Sequence, residues 1–237
     1  MQSPLTPKVV LGIVAHADDL DFGASGTIAK MANEGAEVYY LILTDGSKGS
    51  EDHTITPEKL IALRQEEQRA ALQILGGKDV FFLDYPDGEL EVTMQLKREI
   101  VKVIRNVKPD LVITMDPSMI YSTQHGYINH PDHRAAGQAA LDAVFPLARD
   151  HMTFPELYDE GFEPHKTLSV LLINFEQHNY YVNITDVFDT KIKALAAHAS
   201  QMSDMVAVEQ RVRQMATEAG NTAGYQLAEG FIRIDIR

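Results

Sequence analysis

Three observations predict a three-layer α/β/α fold around a mainly parallel sheet. Short apolar runs alternate with amphipathic helical segments along most of the chain. Polar, chemistry-bearing residues follow those apolar runs. The turns leading back into them (NEGAE, GGKD, NVKPD) are plain connectors.

Each element has a local reason. Val9–Val14 is a continuous apolar run of strand length, and the helix after it, Gly26–Glu34, stops at Gly35. Glu37–Leu43 is the second strand. Thr56 is suited to cap a long helix over Pro57–Leu75, with Pro57 at its first position and Gly76-Gly77 as the stop. Val80–Leu83 reads as a strand, Thr93–Asn106 as a helix and Leu111–Thr114 as the fourth strand. Pro131 opens a helix to Val144, and Ser169–Asn174 is a further strand. Beyond it the regular alternation fades: Tyr180–Ile184 (strand), Val187–Ala199 and Met205–Ala219 (helices), and a terminal strand Phe231–Ile236. The expectation is one domain over 1–237, with a decorated C-terminal third from about 145. The Pro- and aromatic-rich segment Phe145–His165 is expected to serve as a subunit contact or a substrate gate.

Composition narrows the function classes. Twenty-one Lys and Arg against 34 Asp and Glu give a net charge of −13, which argues against nucleic acid or an anionic membrane as partner. There is no cysteine, so thiolate metal sites and disulfides are excluded. The longest apolar runs, VVLGIVA and LSVLLINF, are far shorter than the roughly 18 residues of a membrane span. The N-terminus lacks the pattern of a signal peptide. A soluble cytoplasmic protein is expected.

Ligands of open parallel sheets bind beyond the carboxyl ends of the strands, where this chain places its unusual residues. The first strand runs into His16-Ala17-Asp18-Asp19-Leu20-Asp21, a histidine and three carboxylates within six positions. Carboxylates so close resist ionisation unless a cation relieves them. His16 and Asp19 can grip one divalent ion from a single turn; an acidic loop capping the next helix is the plainer alternative. After the fourth strand comes Asn129-His130-Pro131-Asp132-His133-Arg134. Its two histidines flank a helix start, so one can ligate metal while the other addresses substrate. Two histidines and an aspartate give the three-ligand, open arrangement of catalytic zinc, which acidifies a bound water. Asp18, beside a ligand but free of the ion, can then serve as general base.

Other features point elsewhere. GASG at Gly23–Gly26 lacks the pattern of a dinucleotide site and reads as close helix packing. No serine lies in a GxSxG elbow. Thr44-Asp45-Gly46 reads as a turn lining the pocket, and the MVAVEQRVRQMA stretch as packing. His53, His151 and His165 read as surface or loop residues. Tyr121 and His125 stand near the second cluster without an assigned role, as does Asp21.

AHADD and HPDHR resemble the LmbE-like, or PIG-L, family of zinc-dependent N-deacetylases. The resemblance continues through RQEEQRAALQILG, the Pro86–Gly88 turn, KIKALAAHASQ and YQLAEGF, and so covers nearly the whole chain. Ala17 stands where proline is commoner in that family. The resemblance implies a Rossmann-like fold and one Zn2+ per chain, held by His16, Asp19 and His133. It implies Asp18 as general base, and His130 as a cationic group that stabilises the oxyanion or protonates the leaving amine. Asp132 would orient His130. Arg64 would bind substrate hydroxyls or an anionic end, and His198 would present its ring to the substrate. The implied reaction is hydrolysis of the N-acetyl group of an N-acetylglucosamine-type sugar, with a malate conjugate, an inositol glycoside or a chito-oligosaccharide as substrate. The short chain leans towards the conjugates of bacterial thiol pathways. A homo-oligomer, trimer or hexamer, is implied. Two other readings compete: a metal-dependent hydrolase of another amide or ester, and a non-catalytic zinc-binding protein. The presence of Asp18 and His130, neither needed to hold metal, weighs against the latter.

Overall fold

A computed structural model describes residues 3–123 and 126–236. The strands are β1 Val9–Val14, β2 Glu37–Thr44, β3 Asp79–Tyr85, β4 Leu111–Met115, β5 Tyr121–Ser122, β6 Tyr127–Ile128, β7 Ser169–Ile173, β8 Tyr180–Asn183 and β9 Ala228–Asp235. The helices are α1 Asp19–Gly23, α2 Ser25–Asn33, α3 Pro57–Ile74, α4 Met94–Val107, α5 Pro131–Asp142, α6 Pro155–Asp159, α7 Phe188–Ala196 and α8 Met205–Ala223. Seven strands form one sheet in the order β3-β2-β1-β4-β7-β9-β8. The pairs from β3 to β7 are parallel, and β9 is antiparallel to both its neighbours. This is the expected Rossmann-like α/β fold.

Alternation along the strands divides the core. Val10 and Val14 of β1 pack into the layer formed with α2, α3, α7 and α8, whereas Leu11 and Ile13 pack against α4 and α5. The chain builds outward from β1 to β3 and then returns to lay β4 on β1's other side. That reversal leaves a crevice between the carboxyl ends of β1 and β4, the switch point where such sheets bind ligands.

The C-terminal third departs from simple alternation. The terminal strand does not extend the sheet's edge but enters between β7 and β8. Phe231–Asp235 pair with β7, and Ala228–Phe231 with β8. The connection over 174–179 is too short for a parallel crossover back along β7. The chain therefore steps over β9 and continues in the same direction on its far side.

Segment 145–165 lies away from the crevice of its own chain. Arg105, at the end of α4 and 1% exposed, donates to the carbonyls of Ala148, Leu147, Asp150, Thr153 and Phe154. His165 Nε2 lies 2.8 Å from the carbonyl of Pro109, at the entry to β4. The segment is thus tied to the amino-terminal edge of the strands, opposite the crevice. A buried guanidinium that satisfies several carbonyls explains why a Pro-rich stretch is ordered there.

Candidate active site

The site is assembled from the loops after β1, β2, β3 and β4. β1 delivers His16 and, at the start of α1, Asp19; the β4 side delivers His130 as the N-cap of α5 and His133 in its first turn. Pro131 at the first helical position fixes the entry angle, and His130 Nδ1 accepts from the Asp132 N–H at 3.2 Å.

His16 turns its two nitrogens to different surroundings. Nε2 lies 3.2 Å from Asp87 Oδ1 and 3.3 Å from Asp132 Oδ2. Nδ1 lies 3.3 Å from His133 Nε2 and 3.6 Å from Asp19 Oδ2, while Asp19 Oδ1 is 2.9 Å from His133 Nε2. The opposite nitrogen of His133, Nδ1, is 3.2 Å from Asn129 Oδ1, which also accepts from the Tyr127 hydroxyl. With carboxylates behind one ring and a carbonyl oxygen behind the other, the neutral rings would turn their lone pairs towards one another and towards Asp19. Lone pairs at 3.3 Å repel unless a cation stands between them. Ligand atoms about 3.3 Å apart are what tetrahedral bonds of about 2.0–2.1 Å to zinc produce. His130 completes a group of three rings whose nitrogens lie within 4.8 Å of one another. The donor set fits a divalent ion.

The field of the site supports that fit. Burial would lower the pKa of His16, but hydrogen bonds with Asp19 and Asp87 overcome it and raise it to about 11. His133 is raised as well, its burial outweighed by the charge of Asp19. Asp19 itself is lowered, the His133 charge and hydrogen bond overcoming burial. The carboxylates thus favour a cation between the rings, and a divalent ion would take the place of protons there. Burial and neighbouring Asp19 push Asp18 up to about 7; a dication among these groups acts in the opposite sense. Asp18 sits in the left-handed region at φ 82° and makes no capping bond with its side chain.

Three of the expected residues stand in surroundings of their own. The Asp132 carboxylate does not face His130: it accepts from the Gly88 N–H at 2.7 Å and the Leu90 N–H at 3.2 Å, and its other contact is His16. His130 Nδ1 is committed as a cap acceptor, and burial and the adjacent His16 lower its pKa. His198 is fully buried, with Nε2 2.8 Å from Asp21 Oδ2. The geometry has not moved Arg64. Its NH1 donates to the Gly46 carbonyl at 2.7 Å and lies 3.5 Å from Asp87 Oδ2, and its NH2 donates to Gln201 Oε1.

Asp87 is the site residue that sequence reasoning passed over. It is 6% exposed, touches both His16 and Arg64, and is held by Lys48 N–H at 3.1 Å. Asp45 braces it by accepting from the Asp87 N–H at 3.1 Å, so the Thr44–Gly46 turn supports the site as well as lining it. The signal was its place after β3, on the same edge as the other carboxylates. His125 lies outside the described residues, and Tyr121 is exposed on the β5–β6 hairpin.

A mainly parallel α/β sheet carrying a His and Asp cluster able to hold a metal ion at its switch point defines the class of protein. Comparisons with known proteins specify the class. The model of the PIG-L family, described as GlcNAc-PI de-N-acetylase, matches residues 11–144. Diacetylchitobiose deacetylase of Thermococcus kodakarensis is 36% identical over 225 residues, covering 94% of this chain and 82% of that protein. A probable N-acetyl-alpha-D-glucosaminyl L-malate deacetylase 2 of Bacillus cereus is 30% identical over 202 residues, covering 83% and 85%. The solved structure of N,N'-diacetylchitobiose deacetylase from Pyrococcus horikoshii superposes with a TM-score of 0.89 at 32% identity, over 97% of this chain and 84% of that one. The hydratase GalB of Pseudomonas putida shares the fold at TM-score 0.80 and 24% identity, covering 97% of both chains. The fold alone therefore does not determine the reaction. This chain belongs to the PIG-L family.

Proposed function

We propose that this enzyme, a deacetylase of N-acetylglucosamine-type compounds, acts on a neutral chito-oligosaccharide such as N,N'-diacetylchitobiose, with one zinc ion held by His16, Asp19 and His133. The observation that carries the ion is the convergence of His16 Nδ1, His133 Nε2 and Asp19 at 2.9–3.6 Å, with both rings braced from behind. When bound there, zinc supplies Lewis-acid polarisation of the amide carbonyl and acidifies water.

The chain's own residues do the rest. Asp18, with its carboxylate uncommitted to capping, takes a proton from the attacking water and returns it to the leaving nitrogen. His130 donates its Nε2–H to the oxygen that becomes negative as the carbonyl carbon turns tetrahedral. Water adds to the acetamide and its C–N bond breaks, giving acetate and the free amino sugar. Arg64 and Asp87, side by side in the wall, offer a donor and an acceptor to vicinal sugar hydroxyls.

Charge around the pocket supports a neutral substrate over the anionic conjugates to which the sequence leaned. Gly46, Gln201 and Asp87 already engage Arg64, and the Asp87 carboxylate beside it offsets its charge towards an anionic ligand. Nearby Lys48 is paired with Glu89 at 2.8 Å. Asp18, Asp19, Asp87 and Asp132 make the crevice a poor host for a second anion. The diacetylchitobiose deacetylase is also the more similar of the two relatives compared. The same reading includes a homo-oligomer of three or six chains, which light scattering checks. Among the described residues no helix is long and apolar enough to cross a membrane; a cytoplasmic location is part of the proposal.

Acetate release from N,N'-diacetylchitobiose and from N-acetylglucosaminyl malate, measured side by side, tests the substrate. The expected result is a kcat/KM at least tenfold higher on the disaccharide. A preference for the malate conjugate overturns the neutral assignment, and hydrolysis of neither overturns the substrate class.

A further inference from the structure

We infer that Gln68 is a positioning residue for the general base Asp18, an inference that rests on the reaction proposed above. Asp18 occupies the N-cap position of α1, where an aspartate ordinarily turns its carboxylate back onto the first-turn N–H groups. Here its backbone is left-handed at φ 82° and the side chain makes no such bond. Aspartate tolerates that region better than most residues, yet the conformation persists only where its surroundings impose it.

The group that imposes it is the Gln68 amide. Gln68 Oε1 accepts from the Asp18 N–H at 3.0 Å, and its Nε2 donates to Asp21 Oδ2 at 2.8 Å. That same carboxylate oxygen meets His198 Nε2 at 2.8 Å. Gln68, Asp21 and His198 are all fully buried, so water cannot substitute for any of these bonds. An uncharged amide is suited to accept from a backbone N–H and donate to a carboxylate at once. The chain Asp18–Gln68–Asp21–His198 ties the catalytic turn to α3 and to the end of α7.

The rest of the turn is secured independently. Lys191 Nζ donates to the carbonyls of Asp21 and Phe22 and to Glu229 Oε1, while Glu229 accepts from the Gly26 and Thr27 N–H groups. The α1–α2 corner therefore keeps its anchor when Gln68 is lost, and what is released is the Asp18 peptide. His16, His133, Arg64 and Asp87 make no described hydrogen bond with Gln68, so metal and sugar binding should be spared.

The test is Gln68→Leu, with Gln68→Met as a second variant that fills similar volume without either polar contact. Each is assayed for acetate release, zinc stoichiometry and KM, alone and combined with Asp18→Ala. The expected result is a kcat 10- to 100-fold lower with KM and zinc content unchanged, and no further loss when Asp18→Ala is already present. An unchanged kcat, a loss that follows zinc loss, or an undiminished loss in the Asp18→Ala background overturns the inference. The wild-type rate reads the substrate assignment, and the variant-to-wild-type ratio reads the role of Gln68. The ratio is taken on whichever acetamido sugar the wild type hydrolyses, so the two can fail separately.

Discussion

Asp18 and Asp19 are neighbours in sequence with different surroundings. Asp19 contacts both His16 and His133, whereas Asp18 stands beside them in a turn that leaves its carboxylate free. Asp18→Ala should therefore keep its zinc and lose about 10²–10⁴ in kcat, the span typical of general-base removal. Asp19→Ala should lose the metal itself. Metal analysis alongside acetate release separates the two, and equal metal loss in both variants would reverse the assignment. Asn129 belongs to the same account through the lone carbonyl oxygen behind His133. Asn129→Ala should weaken zinc affinity by about 10- to 100-fold, as removal of such bracing partners does; competition with a chromogenic chelator measures it. The candidate ligands were legible in part: the HxxD and HxxH spacings at predicted strand ends marked His16, Asp19 and the two histidines of α5, and the family resemblance singled out His133. Asp87 and Gln68 were not, because their roles depend on loops and helices that only the tertiary fold brings together. Gln68 did leave a trace: Leu60, Arg64, Glu67, Gln68, Ala71 and Leu72 form one buried face of α3, so three polar residues stand where a helix of this kind should be apolar. Glu67 uses that position to clamp the α7–α8 loop, accepting from Ser200 N–H and Oγ, both at 2.7 Å.

At the scale of elements, helix α5 is the part that must be placed most closely, since it carries His130 and His133. Gly137 sets its distance from β4. A Cβ there would stand 2.2 Å from the Met115 carbonyl oxygen, which is backbone and cannot swing aside. Gly137→Ala should cost about 1–3 kcal/mol of stability, read from the urea midpoint, and should lower zinc affinity as the helix start shifts. Arg105 gives the opposite expectation. Arg105→Ala strips the partners from several buried carbonyls and should cost about 2–4 kcal/mol. The kcat of the remaining folded enzyme should be unchanged, because segment 145–165 is fastened at the far edge of the sheet. A large fall in kcat would return that segment to the role of gate. The regular βα alternation made most elements readable from periodicity. The five-residue α1 and α6 were too short to show a period, and the insertion of β9 between β7 and β8 is a pairing choice that no local pattern encodes.

The whole molecule is a frame that aims four strand ends at one crevice. Closely packed glycines serve it: side chains at Gly23 and Gly26 would collide with Ile173 and with Ile184 and Glu229, consistent with packing as the use of the GASG stretch. On the proposed reading, the net charge of −13 and the carboxylates in the crevice favour neutral sugars over anions, a preference spread over the chain rather than held by one residue. The most direct measurement of the central claim is a zinc titration of chelator-stripped protein, followed by acetate release from N,N'-diacetylchitobiose. Activity should be absent without metal, rise linearly and level off at one zinc ion per chain. Full turnover by the stripped protein, or a plateau reached only at two ions, would contradict a single ion held by His16, Asp19 and His133.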